Sequence, residues 1–207
     1  KRRALFELAV ASLQSRLALF KGSNQSAFDL AMQTSDRLRQ IVPPATEAGS
    51  VIRDAAVFRD NVLRNALTTA SLAAIRTGRY GEAEAAARER QTLPPNPYSE
   101  LDPRDEKSRA QVTLAHAIVL QGRFADARQV TETEVARYRD ELQGGASGLS
   151  FTKDFAYALY VDALARPAGD SRRAANLAEA SRQLNSLSAE ANQLLDIREL
   201  RGWIAAA

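Results

Sequence analysis

An all-α fold of antiparallel helical hairpins is what this sequence predicts, and three observations carry it. Alanine and leucine dominate the 207 residues, with arginine, glutamate and glutamine beside them, and all are strong helix formers. Apolar residues return at steps of three to five, whereas valine and isoleucine are scattered rather than grouped into the alternating runs of strands. Glycine and proline breaks divide the periodic stretches into helix-length pieces. Residues 110–142 show the design best. Val112, Leu114, Ala115, Ile118, Val119 and Leu120 make a segment apolar on almost every side. After Gln121-Gly122-Arg123, the residues Phe124, Ala127, Val130, Val135, Tyr138 and Leu142 return with helical spacing. One buried helix is thus expected to pack on one amphipathic helix.

The elements follow in order. A first helix is expected over residues 4–21, with Leu5, Leu8, Ala9, Leu13, Leu17 and Phe20 as its apolar face. Gly22-Ser23-Asn24 breaks it, and Ser23 or Asn24 can cap a second helix over 26–41, with Phe28, Ala31, Met32, Leu38 and Ile41 inward. Pro43-Pro44 stops that helix. A third, capped by Ser50, runs over 51–77 with room for a kink near Asp60-Asn61. Gly78-Arg79-Tyr80 turns into a fourth over 81–93, rich in small residues that allow close helix approach. The four prolines at 94, 95, 97 and 103 imply a stiffened loop, with Tyr98 and Leu101 packing back. Asp102-Pro103 then starts a fifth helix, because Asp caps well and Pro suits the first helical position. A sixth is expected over 124–142, a flexible linker at 144–148, a seventh helix over 151–165 and an eighth, capped by Asp170, to about Leu187. The hairpins are therefore 4–41, 51–93, 103–142 and 151–187 in one domain spanning 1–207, and a helix over 188–205 caps the last of them.

Composition narrows the function. Charged residues make up 26%, as in soluble domains. The absence of cysteine excludes disulfides, thiolate chemistry and zinc–thiolate sites. No apolar run approaches the length of a membrane span. Such a chain fits the cytoplasm, slightly favoured here, and also the periplasm. Net charge is +3, with residues 1–91 at +5 and 92–207 at −2. The bases are interleaved with acids, so a solvated surface is expected rather than an anionic partner, and no basic–aromatic alternation points to nucleic acid. The chain begins Lys1-Arg2-Arg3, which suggests a fragment or a processed protein.

Aligning Gly22, Gly78, Gly122 and Gly169 exposes a repeat. Five residues after each stands alanine (Ala27, Ala83, Ala127, Ala174), and nine after each a small residue (Ala31, Ala87, Thr131, Ala178). An aromatic follows two of the turns, Tyr80 and Phe124, and could plug the hairpin. At Gly78-Arg79-Tyr80-Gly81-Glu82-Ala83 and Gly122-Arg123-Phe124-Ala125-Asp126-Ala127 the chain resembles tetratricopeptide repeats, in which such a segment opens the second helix of each pair. Two departures stand out. The glycines are 56, 44 and 47 residues apart, against 34 in the family. The small residue usual inside the first helix is Ala115 in one hairpin but Ser15, Ser71 and Asp162 in the others. The resemblance implies a tetratricopeptide-like α-solenoid of about four hairpins plus a capping helix, curved in a right-handed sense. It also implies a concave groove lined by the first helix of each hairpin. Carried over from the turn glycines, the groove residues are Arg16, Asn65, Thr68, Arg76, Arg109, Val112, His116 and Tyr160.

Catalysis finds little support. His116 is the single histidine, and the sequence places no nucleophile or further ligand around it, so a packed or groove-lining role is expected. The acidic pairs Asp105-Glu106, Glu132/Glu134 and Asp140-Glu141 suit caps and ion pairs rather than a catalytic cleft. The glycines at 144, 145 and 148 lack the spacing of a phosphate loop. The expectation is a non-enzymatic scaffold or adaptor segment of a larger bacterial protein, with no cofactor and no metal, whose groove binds a peptide or partner helix. The alternative is a sensory or regulatory arm of a larger protease, kinase or transcription regulator. A helical-scaffold enzyme and a small-ligand carrier are the further rivals.

Overall fold

The structure, a computed structural model, describes residues 2–43, 54–97 and 102–207. Among them nine α-helices follow one another with no strand: α1 (Arg2–Phe20), α2 (Asn24–Gln40), α3 (Ala55–Arg76), α4 (Tyr80–Thr92), α5 (Pro103–Leu120), α6 (Phe124–Gln143), α7 (Leu149–Leu164), α8 (Ser171–Asn185) and α9 (Leu195–Ala206). The fold is all-α. The chain forms two compact units, Lys1–Thr113 and Leu114–Ala207, whose boundary falls inside α5. In the first unit α2 lies against α1 and α3, and α4 against α3. In the second, α7 lies against α6 and α8, and α9 packs on α8 and α7.

Three of the four aligned glycines make one and the same turn. Gly22, Gly78 and Gly122 have φ of +78°, +76° and +79°, a conformation in which a Cβ would be strained. Each closes the preceding helix with two paired hydrogen bonds. The residue after the glycine donates five residues back (Ser23 to Ala18, Arg79 to Ala74, Arg123 to Ile118), and the glycine itself donates three residues back. This Schellman arrangement satisfies carbonyls that the helix end would leave unpaired. The carbonyl of the same following residue then accepts from Ala27, Ala83 or Ala127, which starts the next helix. Ser23 caps α2 with its backbone alone.

Small residues sit where the helices of these hairpins cross. Ala27, Ala31, Ala83, Ala127 and Thr131 are fully buried, and Ala87 nearly so. Seven residues before each aligned glycine, Ser15, Ser71, Ala115 and Asp162 are buried as well. The serines fit because their hydroxyls bond within their own helix: Ser15 Oγ to Ser12 O at 2.7 Å and Ser71 Oγ to Leu67 O at 2.8 Å.

The fourth hairpin departs from the alignment. Gly169 has no positive φ, and Ala174 and Ala178 are exposed. The face of α8 that turns inward is instead Asn176, Ala180 and Leu184. Asp170 caps this helix through a 2.8 Å bond from Arg172 N, as its sequence position suggests. The Asp102 cap of α5 is also present, accepting from Arg104 N at 2.8 Å.

Other expectations change. Helix α3 is unbroken at Asp60-Asn61 and is capped by Asp54, which accepts from Ala56 N and Val57 N at 3.0 Å each. The expected Ser50 cap, the Val51 start, Pro44, Tyr98 and Leu101 lie outside the described residues. The segment 144–148 is not merely a linker: Gly145 (φ +91°) closes α6 with the same Schellman bonds, Ala146 N to Glu141 O and Gly145 N to Leu142 O. The last helix is two pieces, because Ser188 Oγ accepts from Ala191 N to start a short 3₁₀ turn (Ala191–Gln193) and Leu194 is extended before α9. Phe124 does not plug its hairpin; it is 51% exposed.

The largest difference concerns α1. Its inward face is Leu5, Leu8, Ser12, Ser15 and Leu19. Leu13, Leu17 and Phe20, expected inside, are 65%, 52% and 41% exposed. The two serines made the true inner face look polar in the sequence.

Candidate functional site

The eight predicted groove residues divide by exposure. Arg16 and Asn65 are exposed, on α1 and α3. Thr68, Arg76 and Arg109 are half-buried, and Val112, His116 and Tyr160 are buried. Several are occupied by the fold. Thr68 Oγ1 bonds to Arg64 O at 2.8 Å within its own helix. Arg76 reaches across to the end of α1, donating to Leu19 O at 3.1 Å and to Asn24 Oδ1 at 3.4 Å. A cation against the last carbonyls of a helix is favourable, since those carbonyls carry the negative end of the helix dipole. Arg201 does the same for α8, donating to Leu184 O at 2.8 Å.

His116 and Tyr160 belong to one aromatic cluster in the second unit. The His116 ring is 5.6 Å from the rings of Tyr157, Tyr160 and Trp203, edge-on to each. Its Nδ1 shares a 2.8 Å hydrogen bond with the Tyr157 hydroxyl. Burial among these rings pushes the imidazole down to about 4, and burial likewise pushes the Tyr160 hydroxyl up. A neutral imidazole packed edge-on against three aromatic rings is a core contact that ties α9 to the unit through Trp203.

A polar network holds α6, α7 and α8 of the same unit together. Asp162 is 1% exposed and accepts from Thr131 Oγ1 at 2.7 Å, Asn176 Nδ2 at 2.6 Å and Arg166 Nε at 2.7 Å. Arg166 also bonds Glu132 at 2.8 Å, and the Asp162 hydrogen bond holds its guanidinium above the usual arginine range. Arg139 extends the network to Asn176 Oδ1 at 3.0 Å and Glu179 at 2.6 Å. The carboxylate is fully engaged, as a buried charge must be. Of the other acids flagged in the sequence, Glu134 and Glu141 both pair with Arg137, at 3.2 and 2.6 Å. No group of three or more histidine, cysteine or acidic side chains among the described residues could hold a metal ion. No helix of the described chain is long and apolar enough to cross a membrane.

Among the described residues, five of the eleven exposed large apolar side chains lie together on α1. Phe6, Val10, Leu13, Leu17 and Phe20 are between 41% and 65% exposed. They recur at steps of four, three, four and three, so they form one straight stripe on the helix, turned away from Leu5, Leu8, Ser12, Ser15 and Leu19. Phe6 leans on Phe58 of α3, with ring centroids 5.7 Å apart, and the Arg16 guanidinium lies over the Phe20 ring at 5.4 Å. The sequence contains this stripe plainly, but next to a second apolar run on the same helix, and an apolar spacing alone does not say which run faces inward.

Comparison with protein-family models, with curated proteins and with solved structures finds no match to this chain.

Proposed function

We propose that this chain is a non-catalytic protein–protein interaction module, a scaffold or adaptor segment built on tetratricopeptide-like hairpins. The observation that carries this reading is the outward stripe of α1. Isolated exposed leucines are ordinary, but five large apolar side chains in one continuous row on a helix are the kind of patch that binds another protein. The spacing suits a partner helix laid along α1, a recurring mode of recognition. The hairpin reading is supported by the three identical glycine turns with buried small residues five and nine positions on. Absence of catalysis is supported by the side chains that could perform it: His116 is packed neutral among rings, and the Asp162 carboxylate is consumed by three donors.

Within the predicted groove set, Asn65 on α3 is exposed and stays available to a bound peptide, and Arg16 flanks the α1 stripe. The test is affinity capture from the source cell's extract with three baits: the native chain, Leu13→Glu/Leu17→Glu, and Asn65→Ala. A partner held by the native chain and lost from the double variant supports the reading and places the contact on α1. A partner lost only from Asn65→Ala moves it to the groove. Equal capture by all three would refute both surfaces.

A further inference from the structure

We propose that the partner helix is α1 of a second copy of this chain, laid antiparallel along the outward stripe to form a two-fold dimer. The inference rests on the interaction-module reading above and names its occupant.

The spacing of the stripe specifies the shape of what covers it. Steps of four, three, four and three are those of a coiled-coil seam: Phe6, Leu13 and Phe20 take the d positions and Val10 and Leu17 the a positions. Such a row is narrow. A helix lying on a lipid surface needs an apolar face of 100° or more, whereas a seam of a and d positions is the width that one facing helix fills. In an antiparallel pair the exposed parts of Val10, Leu13, Leu17 and Phe20 form the seam while Phe6 falls past the end of the facing α1, so each copy buries roughly 350 Å² and the pair about 700 Å², the size of a weak, micromolar association.

The flanking charges favour a self-complementary, antiparallel arrangement. The e positions are Glu7, Gln14 and Lys21, and the g positions include Arg2 and Arg16. Parallel copies would set Arg2 against Glu7 but Arg16 against Lys21. In antiparallel copies, e positions face e positions. Glu7 of each copy then meets Lys21 of the other, and Gln14 meets Gln14 across the two-fold axis. The two Arg16 side chains approach near the axis, and there each guanidinium already lies over its own Phe20 ring. A C2 interface of this kind uses one patch twice, which is what a single stripe on the first helix can offer.

Two measurements on the whole chain test this. Sedimentation equilibrium from ~1 to ~300 µM should show a monomer–dimer equilibrium in the micromolar range. The Leu13→Glu/Leu17→Glu variant should stay monomeric with an unchanged helical circular dichroism signal, since both leucines are more than half exposed. Cross-linking fixes the direction, and the native chain supplies no cysteine of its own. Gln14→Cys should give a disulfide-linked dimer on mild oxidation and Phe20→Cys should not, because in antiparallel copies the two Phe20 positions are about ten residues, or ~15 Å, apart along the axis. A native chain that is monomeric throughout overturns the proposal. So does a dimer that persists in the double variant, or one that links through Phe20→Cys and not Gln14→Cys. A monomer that pellets with anionic phospholipid vesicles, and no longer does so after the double substitution, would assign the stripe to a membrane surface and overturn it too. A monomer whose stripe is needed to capture a different protein would overturn the second copy yet leave the interaction-module reading standing.

Discussion

Replacing Asp162 by alanine would remove the one acceptor shared by α6, α7 and α8. The substitution leaves the Arg166 guanidinium, 5% exposed, without its bidentate partner and leaves the Asn176 amide with a donor to satisfy, while the Thr131 hydroxyl keeps its 3.3 Å bond to Arg128 O. Breaking a buried ion pair costs about 3–5 kcal/mol, and each stranded neutral donor about 1 kcal/mol or more. Glu132 at 2.8 Å and Asp170 at 3.5 Å still compensate part of the arginine charge, which places the expected loss near 3 kcal/mol. Removing both charges with Asp162→Leu/Arg166→Leu should cost less than removing the acid alone, because no unpaired ion remains. Urea unfolding followed by fluorescence is the assay. Trp203 is the only tryptophan and lies in the same unit, so its signal reports this unit's transition. With a slope of about 1.5–2 kcal/mol per molar urea, the midpoint of Asp162→Ala should fall by ~1.5–2 M. A fall of less than ~0.5 M, or a double variant less stable than the single one, would show that the network does not hold these helices together.

Three further expectations follow from the same structure. His116 is held at about 4 against an ordinary 6.5, so the unfolded chain takes up its proton first as pH falls; stability should be unaffected by this group above pH 6.5 and should decline by up to about 3 kcal/mol between pH 6.5 and pH 4, a decline that His116→Phe removes in parallel urea titrations. Gly78→Ala should destabilise by about 1–2 kcal/mol because φ is +76°, whereas Gly169→Ala should change the thermal midpoint little, having neither a positive φ nor a neighbour within 4 Å of the added Cβ. Ala31→Leu, fully buried on α2, should cost about 1–3 kcal/mol by forcing α2 away from the helices it packs on, and a midpoint equal to the native one would show that this packing is loose.

Much of the helical layout was legible because it is written in local chemistry. Glycine at 22, 78 and 122, Asp102-Pro103 and Asp170 each act on the backbone within a few residues of themselves, and the turns and caps stand where those residues stand. Tertiary choices were not legible in the same way. Helix α1 carries two apolar runs, and the one that faces inward contains Ser12 and Ser15, the latter accommodated by a bond to the backbone of its own helix. Asp162 reads in the sequence as a break in a small-residue pattern. Its partners Thr131 and Asn176 come from helices 31 residues before and 14 after it, and no local spacing connects them. The candidate groove was inferred from distance along the first helices, which fixes a residue's position on a helix but not whether another helix already covers it. Val112, His116 and Tyr160 are covered.

Alanine is the commonest residue of the buried apolar set, and this bears on how the chain meets heat and cold. A core of alanines brings backbones close and gains contact between main chains, yet each residue removes little hydrocarbon from water. The heat capacity released on unfolding scales with that hydrocarbon area. The curve of stability against temperature should therefore be shallow for a chain of this size, with a broad maximum and a gradual fall on either side. Midpoint temperature would then be a poor guide to stability near 25 °C, and small substitutions would move it by more degrees than they would in a core of leucine and phenylalanine.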